Sequence, residues 1–281
     1  MKIRKVEKII QSKMTTEGAG VLLRRVFGFD ELGLLDPFLL FDYFGSDDPD
    51  DYTAGFPWHP HRGIETITYM VDGVVEHADS IGNKGIIGSG DIQWMTAGSG
   101  IIHQEMPQPF SGTMRGFQLW VNIPKAYKMK PPAYQEFNAE KIPVADAGSN
   151  IKVRVIAGEF CEIKGPVSDP FIDPSYFDIS VPAKSGFRTM VEPGHTVFAF
   201  VFEGEGTFDE SKSTLVTSGQ LVKLSDGDTI EVSTNDEPIR FVLVAGKPLN
   251  EPVAWRGPIV MNTQEELLTA FREFREGTFV K

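Results

Sequence analysis

Short apolar runs cut by glycine and proline constrain this chain more than any other feature of it. Among its 281 residues are 28 glycines and 19 prolines. Between them lie strand-length segments rather than long helical patterns. Residues 3–9, 21–26, 64–71 and 114–123 read as strands in the first half, and 153–156, 176–181, 197–203, 229–233 and 240–245 in the second. Asp72-Gly73 is a hairpin signal, and Gly82-Asn83, Gly88-Ser89-Gly90-Asp91 and Gly98-Ser99-Gly100 mark further turns. The pattern predicts an all-β fold of antiparallel barrels of the jelly-roll type.

A weak internal repeat favours two such barrels over one large domain. His61 precedes a strand that turns at Asp72-Gly73, His195 precedes Phe200-Val201-Phe202-Glu203-Gly204, and Gly90-Asp91 parallels Gly227-Asp228. The expected division is residues 1–130 for the first barrel, a linker over 131–150 containing Pro131-Pro132, and 151–281 for the second barrel with a short C-terminal helix. Thr263-Gln264-Glu265-Glu266 forms a capping box. Leu267, Leu268, Phe271 and Phe274 supply an apolar stripe, and Gly277 is a suitable helix stop. This helix is expected to pack against a barrel, the N-terminal one being a candidate.

Within this framework, two pairs carry the chemistry. His59-Pro60-His61 and His103-Gln104-Glu105 each place two potential ligands one residue apart. In a strand, positions i and i+2 share a face, so each pair can aim both side chains into one cavity. Imidazoles with a carboxylate suit one divalent transition metal such as iron, manganese, nickel, copper or zinc. Four protein ligands would leave two octahedral positions open for chemistry. Glu65 shares strand parity with His59 and His61, so spacing leaves the carboxylate ligand open between Glu65 and Glu105, the other supporting it from behind. Phe56, Trp58, Trp94, Met95, Met106, Phe117 and Trp120 are read mainly as core. Phe56 is a candidate wall for a flat aromatic ligand, and Gln118 a candidate hydrogen-bonding partner for substrate. His77 is read as structural or exposed, and His195, with no second histidine nearby, as no ligand.

Composition narrows the function classes. A net charge of −12 opposes direct nucleic-acid binding, which needs clustered cations, and opposes anionic membrane surfaces. No segment reaches the roughly 20 apolar residues of a membrane span. Residues 1–14 are basic without an apolar core, unlike a secretory signal. The single cysteine, Cys161, is read as a small buried residue, and this cysteine usage fits a cytoplasmic protein.

The stretches 56–66 and 90–107 resemble the signature of the pirin family, a branch of the cupin superfamily. Residues 35–42, 118–122 and 257–263 are similar to it as well. The resemblance covers nearly the whole chain. It implies a bicupin with one metal, Fe(II) foremost, held in the N-terminal barrel by His59, His61, His103 and Glu105. It also implies an oxidoreductase, a dioxygenase opening a flavonol such as quercetin with release of carbon monoxide, with Glu105 or Glu65 taking the phenolic proton. The alternative it implies is a metal-dependent regulator binding a transcription factor or a metabolic enzyme, for which the negative charge favours a basic patch on the partner. Trp58 stands where some relatives carry a smaller or polar residue and is expected to narrow the pocket mouth.

Overall fold

A computed structural model describes residues 1–168, 170–209 and 214–281. The described residues are mostly strand, with one α-helix among them, Gln264–Arg275. Contacts divide it into two units. One comprises residues 13–30, 38–139 and 249–281, and the other 1–12, 31–37 and 140–248. These units differ from the expected ranges 1–130 and 151–281 because both chain ends cross over. Strand Val6–Gln11 pairs with Gln220–Leu224, while the C-terminal helix belongs to the histidine-bearing unit. The expected linker is not free either. Its strand Ala133–Phe137 pairs with Ile92–Thr96, and its strand Val144–Asp146 pairs with Lys152–Ala157.

Two larger antiparallel sheets and the small hairpin Ala254–Arg256 with Ile259–Met261 make up the histidine-bearing unit among the described residues. Four strands run in the order Phe56–His61, Ile101–Pro107, Val75–Asp79, Lys84–Ile87. Seven run in the order Ala133–Phe137, Ile92–Thr96, Ile64–Asp72, Met114–Asn122, Phe38–Ser46, Val21–Phe27, Lys13–Glu17. The two sheets face each other as layers rather than closing into one hydrogen-bonded barrel. Asp72-Gly73 is accordingly not a hairpin: the strand before it lies in the larger sheet and the strand after it in the smaller. Gly73, at φ +119°, lets the chain change layers.

Sequence explains these placements locally. Ile64–Asp72 is buried at every position but its last, as befits a central strand covered on both faces. In Ile101–Pro107 burial alternates, with Ile101, His103, Glu105 and Pro107 inward, so the polar pair shares the inner face. The helix has the expected capping box, Thr263 accepting from the Glu266 amide and Glu266 reaching back to the Thr263 amide. Gly277, at φ +71°, ends it. Its buried residues are Leu267 and Ala270, which pack with Ala254, Ile259, Met261 and Phe279. Leu268 points outward instead, at 64% exposure. Among the described residues no helix is long and apolar enough to cross a membrane.

In the other unit, Thr196–Thr207 is the central strand. Its first half pairs with Gln220–Leu224 and Ile239–Gly246, and its end pairs with Leu215–Thr217. Strand Gly186–Met190 pairs with Thr229–Ser233. Cys161 is exposed, contrary to the buried reading. It sits with Glu162 in the turn between Glu159–Phe160 and Ile163–Lys164, both at positive φ.

Candidate metal centre

His59 and His61 end one strand of the smaller sheet, and His103 lies on its neighbour. The register sets His59 opposite His103, and His61 opposite Ile101. Ring centroids are 4.8 Å apart for His59 and His61, 4.3 Å for His59 and His103, and 5.0 Å for His61 and His103. One ring nitrogen from each lies within 4.8 Å of those from the other two. His61 and His103 are buried, whereas His59 is only partly covered.

Backbone carbonyls orient two of the rings. The His59 Nδ1–H donates to Pro57 O at 2.8 Å, and the His61 Nδ1–H donates to Pro258 O at 3.0 Å. Each hydrogen bond places a proton on Nδ1 and leaves Nε2 as the ring's possible metal-binding atom. Those two Nε2 atoms face each other at 3.0 Å. Both ring nitrogens of buried His103 have no hydrogen-bond partner, a costly state for polar atoms. Burial pushes His61 down to about 3, with His59 adding to the shift. Burial likewise holds His103 well below the usual histidine range. Three converging imidazoles, two of them held neutral by burial, are a donor set that fits a borderline divalent cation.

The two candidate carboxylates part company here. Glu105 is on the inner face, where Thr68 Oγ1 donates to it at 2.9 Å and Gln118 Nε2 at 3.0 and 3.2 Å. Its oxygens are not in the mutually close donor set, which among the described residues comprises the three histidines. Glu65 has the opposite parity to Thr68 on the strand Ile64–Asp72, and it accepts from Thr96 Oγ1 at 2.8 Å. It therefore lies on the other face of that strand. The expectation that it shares a face with the histidines fails because a turn at Gly63 separates the strands. Gly63 has φ +79°, and an added Cβ there would sit 2.0 Å from Val260 O. Burial raises Glu65 to about 7 against weaker opposition from its hydrogen bonds.

Gln118, expected to meet substrate, spends its amide nitrogen on Glu105 while still lining the open cleft. Phe56 lines the cleft too. Trp58 does not; it is 53% exposed, so it neither joins the core nor narrows the mouth. His77 is buried, with its ring stacked on Tyr134 and 5.4 Å from His103.

The cleft holds about 570 Å³ and reaches His59 and His61. Its walls include Phe29, Trp120 and Trp255, with Trp255 5.5 Å from Phe29 and 6.0 Å from Trp120. Arg25, bound to both Asp42 oxygens and to Glu17, adds a polar stretch. The sequence reading missed Phe29, Trp255, Pro258 and Thr68. Trp255 and Pro258 flank Gly257 near the C-terminus, where only the fold brings them to the histidines.

The C-terminal segment also anchors the strand end that carries His61. Arg62 pairs with Glu273 at 2.7 Å, donates to Phe279 O and stacks over the Phe279 ring at 4.3 Å. Buried Lys128 donates to Gly63 O, Asn122 Oδ1 and Val260 O.

Facing antiparallel sheets with imidazole donors on adjoining strands define this protein as a cupin. The pirin family profile matches residues 20–121, and that of the pirin C-terminal cupin domain matches residues 176–280. The chain belongs to the pirin family. It is 43% identical over 280 residues to a pirin-like protein of Caulobacter vibrioides, covering 99% of this chain and 100% of that one. A crystal structure of quercetin 2,3-dioxygenase from Acinetobacter baumannii is 35% identical, with a TM-score of 0.91 over 99% of this chain and 98% of that one. The bacterial pirin YhhW of Escherichia coli, solved in complex with nickel(II), shares the fold at 18% identity and a TM-score of 0.66, over 86% of this chain and 98% of that one.

Proposed function

We propose that this pirin is a metal-dependent dioxygenase, with Fe(II) as its ion, that opens a flavonol such as quercetin. The observation that carries the reading is the convergence of three imidazoles beside an aromatic-walled cleft of about 570 Å³. The likeness to a quercetin 2,3-dioxygenase across nearly the whole chain supports the substrate class. His59, His61 and His103 would hold the ion, with Glu105 as the fourth donor. When bound, the ion supplies Lewis acidity and a template for the reactants.

The remaining work falls to the chain. Trp120 and Trp255 offer flat apolar faces against which a fused-ring substrate can lie, displacing water from the cleft. Glu105 would take the proton of the flavonol 3-hydroxyl. Thr68 and Gln118 position its carboxylate with three donated hydrogen bonds. Glu17, at the cleft wall, can accept from hydroxyl groups on the substrate.

Anaerobic purification with elemental analysis, followed by oxygen uptake and carbon monoxide release with quercetin, tests the reading. Metal-dependent uptake with carbon monoxide formed is expected. No turnover with iron, manganese, nickel or copper would instead favour a regulator whose metal state governs binding to a partner protein.

A further inference from the structure

We propose that a second, inner chamber beside Glu105 binds a small apolar gas molecule, which in the working protein is dioxygen. The dioxygen assignment rests on the dioxygenase reading above, whereas the affinity for an apolar gas does not. The chamber is a cavity of about 30 Å³ between the two sheets of the histidine-bearing unit. Asp42, Phe56 and Gln118 line both it and the cleft that holds His59 and His61. The two spaces therefore meet at those three side chains.

Its wall is mainly hydrocarbon, with Val21, Leu23, Phe44, Val75 and Met114 among the lining residues. Several of the polar groups present already have hydrogen-bond partners. The Asp42 oxygens accept from Arg25, those of Glu105 accept from Thr68 and Gln118, and the Tyr52 hydroxyl accepts from the Phe110 amide. A water entering needs two to four polar partners, and apolar cavities without them stay dry and take up xenon. The room is roughly twice the 10–15 Å³ that one water requires. That suits a diatomic molecule or a xenon atom and excludes a flavonol. Dioxygen, being apolar, gains by leaving water for such a wall. Its position would store the gas behind Glu105, out of the path by which the flat substrate enters.

Xenon under pressure is the probe, read by crystallography and by xenon NMR of the full-length protein. One xenon per chain in the chamber is expected. Val21→Leu and Val75→Ile each add a single methylene, and either should cut occupancy at least fivefold. Leu23→Ala should raise it. A chamber filled by ordered water, or xenon occupancy indifferent to all three substitutions, overturns the gas site. In metal-replete protein, the filled variants should raise KM for oxygen at least threefold while leaving KM for quercetin unchanged. An unaltered KM for oxygen overturns the dioxygen assignment. A wild type that takes up xenon yet never consumes oxygen with quercetin removes the dioxygen assignment together with the dioxygenase reading, while the gas site stands.

Discussion

His61 has the most determined surroundings of any residue in the site. Its Nδ1 is bound to Pro258 O, its ring is buried, and its Nε2 faces that of His59. His61→Ala should therefore abolish the one equivalent of divalent transition metal expected per chain, as read by elemental analysis; full retention of metal would mean the site is wrongly placed. The two glutamates should separate cleanly. Glu105→Gln is expected to lower metal affinity or turnover at least tenfold, while Glu65→Gln spares both, because only Glu105 shares the inner face with His103. Loss of metal in Glu65→Gln alone would reverse that assignment. Glu65 should instead show itself in pH dependence. Burial raises it from 4.5 to about 7, so across that window the folded chain keeps a proton that the unfolded chain releases. Its contribution is complete below pH 4.5 and is lost as pH rises through 7, on the order of 3 kcal/mol in all. Glu65→Gln should flatten the fall in urea midpoint between pH 5 and pH 8, and an unchanged fall would count against this account.

At the scale of elements, the C-terminal segment completes the site. Its strand Ile259–Met261 and its helix sit in the histidine-bearing unit, and Arg62, beside His61, is bound to Glu273 and Phe279. Arg62 is buried while Glu273 is partly exposed, so losing Arg62 removes a charge-assisted contact without leaving a buried carboxylate unpaired. Arg62→Met is expected to cost about 2 kcal/mol in urea unfolding and to weaken metal binding measured by chelator competition, since Pro258 O would lose its register with His61. Intact metal affinity in a destabilised Arg62→Met protein would separate the anchor from the site. The helix itself was legible in the sequence because a capping box is local: Thr263 and Glu266 meet within one turn. Its buried face was not fully legible. Leu268 and Leu267 look alike in the sequence, and only the position of the Ala254–Arg256 and Ile259–Met261 hairpin decides that Leu267 is covered.

At the scale of the whole chain, the two units repeat one strand plan, though not at the residues the sequence suggests. The strand after Gly90-Asp91 pairs with the central strand of its sheet, whereas the strand after Gly227-Asp228 pairs with Gly186–Met190. That last pair, like the strands bearing the histidines, is antiparallel. In that pair Phe187 lies opposite Val232 and Thr189 opposite Ile230, with no histidine among them. His195 lies beyond these strands, in the turn before Thr196. Accordingly His195→Ala should leave metal stoichiometry and turnover unchanged; a second equivalent of metal lost in that variant would overturn the one-site expectation. The sequence alone determined what depends on neighbours in the chain: strand segments, the helix cap, and the i, i+2 spacing that sets His59 beside His61 and His103 beside Glu105, because side-chain alternation is a property of any extended backbone. The tertiary structure decided the rest: the crossing of both chain ends, the face that Glu65 takes, the carbonyl that fixes His61, and the Trp255 wall of the cleft. Each of these depends on residues distant in sequence meeting across sheets, a choice made by packing that no local period encodes.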